Sequence, residues 1–140
     1  MSGPGPMAGV LVTHGRLGAE LLSTAEGILG RQENVYCVSN AGLSSEALVD
    51  ALGAALARRH PPGSPAVVFV DLAAGSCGHA CRFLGLEHPE VLVACGVNLP
   101  MLIEFLYHRT RVGPQELCER MLRRGREGIQ CRGWDDARTD

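Results

Sequence analysis

The sequence predicts an α/β protein: a doubly wound, mostly parallel sheet of four to five strands in the order 2-1-3-4, with helices on both faces. Two observations lead to it. Four short apolar runs alternate with longer segments whose apolar residues recur at helical spacing, and this alternation implies βαβ units with right-handed crossovers. Polar residues then follow the runs, Thr13-His14-Gly15 after the first and Asp71 after the third. In open α/β sheets the crevice beyond the carboxyl ends of the strands is where ligands bind.

Each element has a local reason. Glycine and proline interrupt Met1-Ser-Gly-Pro-Gly-Pro6, so residues 1–6 are expected to be a loose tail. Val10, Leu11 and Val12 read as a strand buried on both faces. The chain turns at Gly15, and Leu17, Leu21, Leu22, Ala25, Ile28 and Leu29 give a helix that Gly30 closes. Val35-Tyr-Cys-Val38 is β-branched and aromatic, a second strand. Ala47, Leu48, Ala51, Leu52, Ala55 and Leu56 then line one helix face, capped by Ser44 or Ser45 and ended by Pro61-Pro-Gly63.

Ala66-Val-Val-Phe-Val70 is the most strand-like run, and it delivers Asp71. Ser76 is a natural cap for a short helix from about Cys77 to Leu86, and Val91-Leu-Val-Ala-Cys95 is the fourth strand. Asn98 precedes a helix with Pro100 in its first turn, where proline is tolerated. A last helix starts at Pro114 and shows Leu117, Cys118, Met121 and Leu122. Gly128-Ile-Gln-Cys131 is expected to add a short edge strand. Residues 7–132 thus form one domain, and residues 133–140 a frayed, polar end.

A chain of 140 residues, 46% hydrophobic and 20% charged, is ordinary for one globular domain. Its net charge of -2 gives no case for nucleic acid. No apolar run is long enough for direct membrane insertion, and no secretory signal pattern opens the chain. A cytoplasmic location is therefore expected, with all six cysteines reduced and most of them in the core. The histidines His60, His88 and His108 are expected at the surface.

If strands one and three are neighbours, His14 and Asp71 come within hydrogen-bond reach. A carboxylate on one imidazole nitrogen fixes the tautomer and leaves the other nitrogen as base, ligand or nucleophile. A helix start near Ser76 adds unpaired N–H groups and a positive dipole end, which favour a phosphoryl group. Together these suit a histidine that carries phosphate.

These residues resemble the IIA component of the mannose family of the bacterial sugar phosphotransferase system, with its fructose- and sorbose-type branches. The resemblance rests on Gly9-Val-Leu-Val-Thr-His-Gly15, Glu26-Gly-Ile-Leu-Gly30 with Asn34-Val35, Asp71-Leu72 with Gly75-Ser76, and Gly96-Val-Asn-Leu-Pro-Met-Leu102. It implies a phosphohistidine at His14, taken from phospho-HPr and passed to a IIB domain. Asp71 would orient the imidazole, and Thr13, Gly15 and Ser76 would line the phosphate site, with Asn98 a further contact. It also implies a homodimer whose C-terminal strand exchanges between subunits, for which Ile129, Gln130 and Cys131 are the candidate segment. No cofactor and no metal are implied.

The chain departs from the family after strand three. There the family reads Asp-x-x-Gly-Gly-Ser-Pro-x-Asn, and here Ala74, Cys77 and His79 replace a glycine, the proline and the asparagine. Alanine at a position needing positive φ would cost on the order of 1 kcal/mol. Three other readings stay open. One is a regulatory IIA-like protein that signals by the phosphorylation state of His14 without sugar transport, and another is a dihydroxyacetone kinase phosphotransfer subunit. The third is a metal-binding or redox module, the metal held by Cys77, His79 and Cys81 with His14 nearby as a fourth ligand, or Cys77 acting as a redox-sensing thiol. Helical geometry weakens the metal set, because positions two and four apart diverge by about 160° and 40°. Cys77 and Cys81 then share a face that His79 does not.

Overall fold

A computed structural model describes residues 5–134; the expectations for residues 1–4 and 135–140 lie outside them. The chain runs β1 (Ala8–Thr13), α1 (Leu17–Leu29), β2 (Val35–Ser39), α2 (Ser45–Ala57), β3 (Ala66–Val70), α3 (Ser76–Gly85), β4 (Val91–Cys95), α4 (Leu99–His108) and α5 (Pro114–Glu127). All strand pairings are parallel, in the order β2-β1-β3-β4. This is the expected doubly wound arrangement.

Both faces of the central strands are covered, which is why β1 and β3 read as unbroken apolar runs. On one face Val10, Val12, Val68 and Val70 meet Leu48, Leu52 and Leu56 of α2 and Cys77, Cys81 and Leu84 of α3. On the other, Leu11, Val67 and Phe69 meet Ala25 of α1, Leu102 and Phe105 of α4, and Leu117 and Met121 of α5. Phe69 and Phe105 stack edge to face with ring centroids 5.0 Å apart. The switch between faces falls between β1 and β3. There Val12 pairs with Val70, so the residues that follow leave the sheet side by side.

Two local expectations are corrected. Residues 128–133 form no strand. The Ile129 N–H bonds back to the Arg126 carbonyl, and Ile129 stays 68% exposed, so the segment's polar groups are met by the end of α5 and by solvent and not by a strand ladder. Nor are most cysteines in the core: Cys77 and Cys81 are buried, whereas Cys37 and Cys95 on the edge strands and Cys131 are exposed, and Cys118 is half-buried. All six are free thiols. Of the histidines expected at the surface, His60 is exposed while His88 and His108 are half-buried.

At the end of the sheet opposite His14, buried Arg109 ties three segments together. Its guanidinium donates to the Met7 carbonyl at 2.9 Å, the Glu33 carbonyl at 2.8 Å and Gln32 Oε1 at 2.9 Å. Burial lowers its pKa to about 10, which leaves it charged at neutral pH. Arg109→Ala is expected to lower the unfolding free energy by about 1.5–3 kcal/mol, the scale of hydrogen bonds to a charged group. A denaturant titration measures this, and the site at the opposite end should keep its activity.

Candidate functional site

β1 ends in His14 and β3 ends in Asp71, and one carboxylate oxygen joins them. Asp71 Oδ2 accepts the backbone N–H of His14 at 2.9 Å and lies 3.0 Å from His14 Nδ1. The other oxygen, Oδ1, accepts the N–H of Leu72 at 2.9 Å, fixing the carboxylate plane. Burial pushes the Asp71 pKa up, but the His14 N–H, the ring contact and the Leu72 N–H outweigh it and hold the carboxyl below its usual range. An ionised carboxylate can only accept. The proton between the two groups therefore sits on Nδ1, which directs Nε2 away from the carboxylate. The His14 side chain is 42% exposed and that of Asp71 only 9%, so the imidazole is open to solvent with its carboxylate partner behind it.

The His14 ring lies against the start of α3. A Cβ added at Gly75 would lie 3.8 Å from His14 Nε2 and Cε1. Gly75, not Ser76, occupies the cap position of α3, with φ 98 and no side chain to bond the helix N–H groups. Ser76 is the first helical residue and is exposed. Among the described residues no protein acceptor is found for the N–H groups of Ser76, Cys77 and Gly78, the first bonded one being that of His79, which donates to the Gly75 carbonyl. An uncapped helix start with its dipole end beside the His14 ring favours an anion.

The loop before α3 is pressed onto the helix. A Cβ at Gly78 would lie 2.1 Å from the Ala73 carbonyl oxygen, a position only glycine fills. Arg82, one turn on, donates to the same carbonyl at 2.7 Å. Ala74 is not among the residues with positive φ; Gly75 takes that conformation, so the strain conditionally assigned to Ala74 does not arise.

Not every expected residue lines the site. Thr13 is 1% exposed and its Oγ1 accepts the Gly18 N–H at 2.7 Å; it fastens the start of α1 instead. Gly15 forms the turn with φ 56. Asn98 accepts the Met101 N–H at 3.1 Å and donates to the Gly125 carbonyl at 2.9 Å, capping α4 and tying it to α5, so its amide is used for structure. One residue was missed. Asn40, just after β2, accepts the Gly15 N–H at 3.1 Å while its own N–H bonds to the Thr13 carbonyl; its position at a strand's carboxyl end was the available signal. Cys77, 0% exposed, brings a ligand atom within 4.8 Å of those of His14 and Asp71. Burial first, and the Asp71 charge second, raise its thiol pKa. His79, expected to diverge from Cys77, does so: it is exposed, where Cys77 and Cys81 are buried together.

Comparison with known proteins places this geometry in a family. Residues 8–122 match the family described as the PTS system fructose IIA component. The chain belongs to that family. That family is the mannose-type IIA family of the sugar phosphotransferase system. The chain is 36% identical over 124 residues to the PTS system mannose-specific EIIAB component of Escherichia coli (strain K12), covering 86% of this chain and 38% of that protein. It thus spans well under half the length of that curated relative. The sorbose-specific EIIA component of Klebsiella pneumoniae is 31% identical over 55 residues, covering 39% of this chain and 41% of that one.

Among solved structures, component EIIA from Streptococcus agalactiae superposes with a TM-score of 0.79 at 28% identity, covering 88% of this chain and 95% of that one. The mannose/sorbose-specific IIA subunit from Enterococcus faecalis gives the same TM-score at 23% identity over 92% and 96% of the two chains, a likeness of fold. Among the described residues no helix of this IIA component is long and apolar enough to cross a membrane.

Two outcomes follow for the site. The depressed Asp71 pKa contributes stability that is fully present above the ordinary carboxylate range and is lost as pH falls through the folded-state value. Asp71→Ala should thus cost about 1.5–3 kcal/mol at neutral pH, and the gap to the native protein should close in acid, as followed by denaturant unfolding at a series of pH values. Gly78→Ala must push the 72–74 loop off α3, at about 1–3 kcal/mol. The same unfolding measurement detects it, accompanied by slower phosphoryl transfer.

Proposed function

We propose that His14 is the phosphoryl acceptor of this IIA component, taking phosphate from phospho-HPr and handing it to a IIB domain. One observation carries the reading: Asp71 Oδ2 binds both the backbone N–H and Nδ1 of His14, while Gly75 sets the uncapped start of α3 against Nε2. Nε2 attacks the donor's phosphorus, a new P–N bond forms as the donor's P–N bond breaks, and the imidazole gains positive charge. The ionised Asp71 stabilises that charge through Nδ1–H. The N–H groups of Ser76, Cys77 and Gly78, with the Ser76 hydroxyl, receive the phosphoryl oxygens. Transfer to IIB reverses these steps.

Both partners must reach the exposed edge of His14. The surface beside it supports protein docking: Leu72 is 59% exposed and Phe83 54%, and Phe83, Ser76 and His79 border a groove between α2 and α3 that Glu46 and Asp50 complete. A homodimer fits the same reading. The β4 edge is open, with Leu92 39% exposed, and Ile129, Gln130 and Cys131, irregular in the single chain, form a strand on a partner's edge.

Incubation with phosphoenolpyruvate, the general phosphotransferase enzyme and HPr is expected to add one acid-labile phosphate per chain. His14→Ala should take up none. Asp71→Asn should be labelled at least about tenfold more slowly, the size of a lost orienting partner. Labelling of His14→Ala at the native level would overturn the assignment.

A further inference from the structure

We propose that His14, Asp71 and Cys77 form a site for a thiophilic divalent cation of the zinc class, whose binding shuts off phosphoryl acceptance. Among the described residues this is the one group of three or more histidine, cysteine or acidic side chains whose ligand atoms all lie within 4.8 Å of one another. The three donors differ in kind and come from three elements: the loop after β1, the loop after β3 and the first turn of α3. Zinc takes this mixture of imidazole, carboxylate and thiolate, whereas magnesium and calcium keep to oxygen donors.

Charge and geometry agree with it. A thiolate and a carboxylate balance the two positive charges of the ion, and binding releases the Cys77 proton to solvent. Tetrahedral ligands at about 2.0–2.3 Å from zinc sit roughly 3.3–3.8 Å apart. The observed spacing needs a contraction of only about 1 Å, within reach of side-chain rotation. Three protein ligands leave a fourth position for water, open to the crevice that exposes His14.

The buried wall of the crevice supplies the third donor. Cys77 is wholly buried against the core of the α2–α3 face, with its ligand atom within 4.8 Å of those of His14 and Asp71.

Inhibition follows from where the ion sits. If it takes Nε2, it occupies the nucleophile. If it takes Nδ1, it replaces the proton that Asp71 holds there and removes the group that stabilises the imidazolium. Metal binding stands on the ligand geometry alone; its inhibitory effect rests on the reading of His14 as acceptor.

The test titrates the full chain, reduced and metal-free, with cobalt(II) and then zinc(II). The native protein should bind one equivalent with a thiolate-to-cobalt charge-transfer band. Cys77→Ala and Cys77→Ser should lose the band and bind zinc more than about tenfold more weakly, since even an outer-shell partner is worth about 10–100-fold. Cys95→Ala, which removes a nearby exposed thiol, should keep it. An undiminished band in both Cys77 variants would overturn the site. In the second arm, saturating zinc should cut phosphate uptake from phospho-HPr at least about tenfold in the native protein and spare Cys77→Ala. Equal inhibition of both would overturn the inhibitory role. A native protein that binds zinc through Cys77 yet takes up no phosphate without metal upholds the site and overturns only the acceptor reading.

Discussion

Everything at the working end of this molecule depends on one carboxylate oxygen. Asp71 Oδ2 accepts two hydrogen bonds from a single residue, one from the His14 main chain and one from its ring. The first fixes the loop, the second fixes the ring within the loop, and together they direct Nε2 away from the carboxylate. The contact exists because β1 and β3 are neighbours in the sheet although 57 residues separate the two side chains in sequence. A parallel sheet whose helices change faces between those two strands opens a crevice there.

The second constraint is steric. The 71–75 loop must pass close enough to α3 to bring an uncapped helix start against Nε2, and Gly78 allows it, since any side chain there would meet the Ala73 carbonyl. Gly75 supplies the positive φ that aims the helix. The same close approach buries Cys77 beneath the imidazole and the carboxylate. The uncapped start of α3 and a buried thiol thus lie beside the same histidine.

Much of the fold was legible because its signals are local. Val10 to Val12 and Ala66 to Val70 are unbroken apolar runs, which only strands covered on both faces require, and the helical stripes between them are unambiguous. His14 and Asp71 are paired because doubly wound folds of the order 2-1-3-4 make strands one and three neighbours. What misled was the capping chemistry. Serine is a better cap than glycine on average, yet Gly75 holds the cap of α3 because the backbone there needs φ 98. Thr13 looked like a site hydroxyl, yet its side chain turns inward to Gly18, as alternation along a strand allows but does not dictate.

The sequence by itself determined the class of fold, the order of strands and the pairing of His14 with Asp71, since these rest on periodicity and on polar residues placed at the ends of neighbouring strands. Only the tertiary structure decided which polar groups near the site are spent on holding the backbone and which are left for chemistry. Asn98 is spent on α4 and α5, Asn40 on the His14 loop, and Cys77 is brought to His14 and Asp71. The physical reason is that a hydrogen bond or a ligand contact depends on direction within a few tenths of an ångström. Spacing along a chain fixes which face a residue takes, but not which of its neighbours across the fold its polar atom meets.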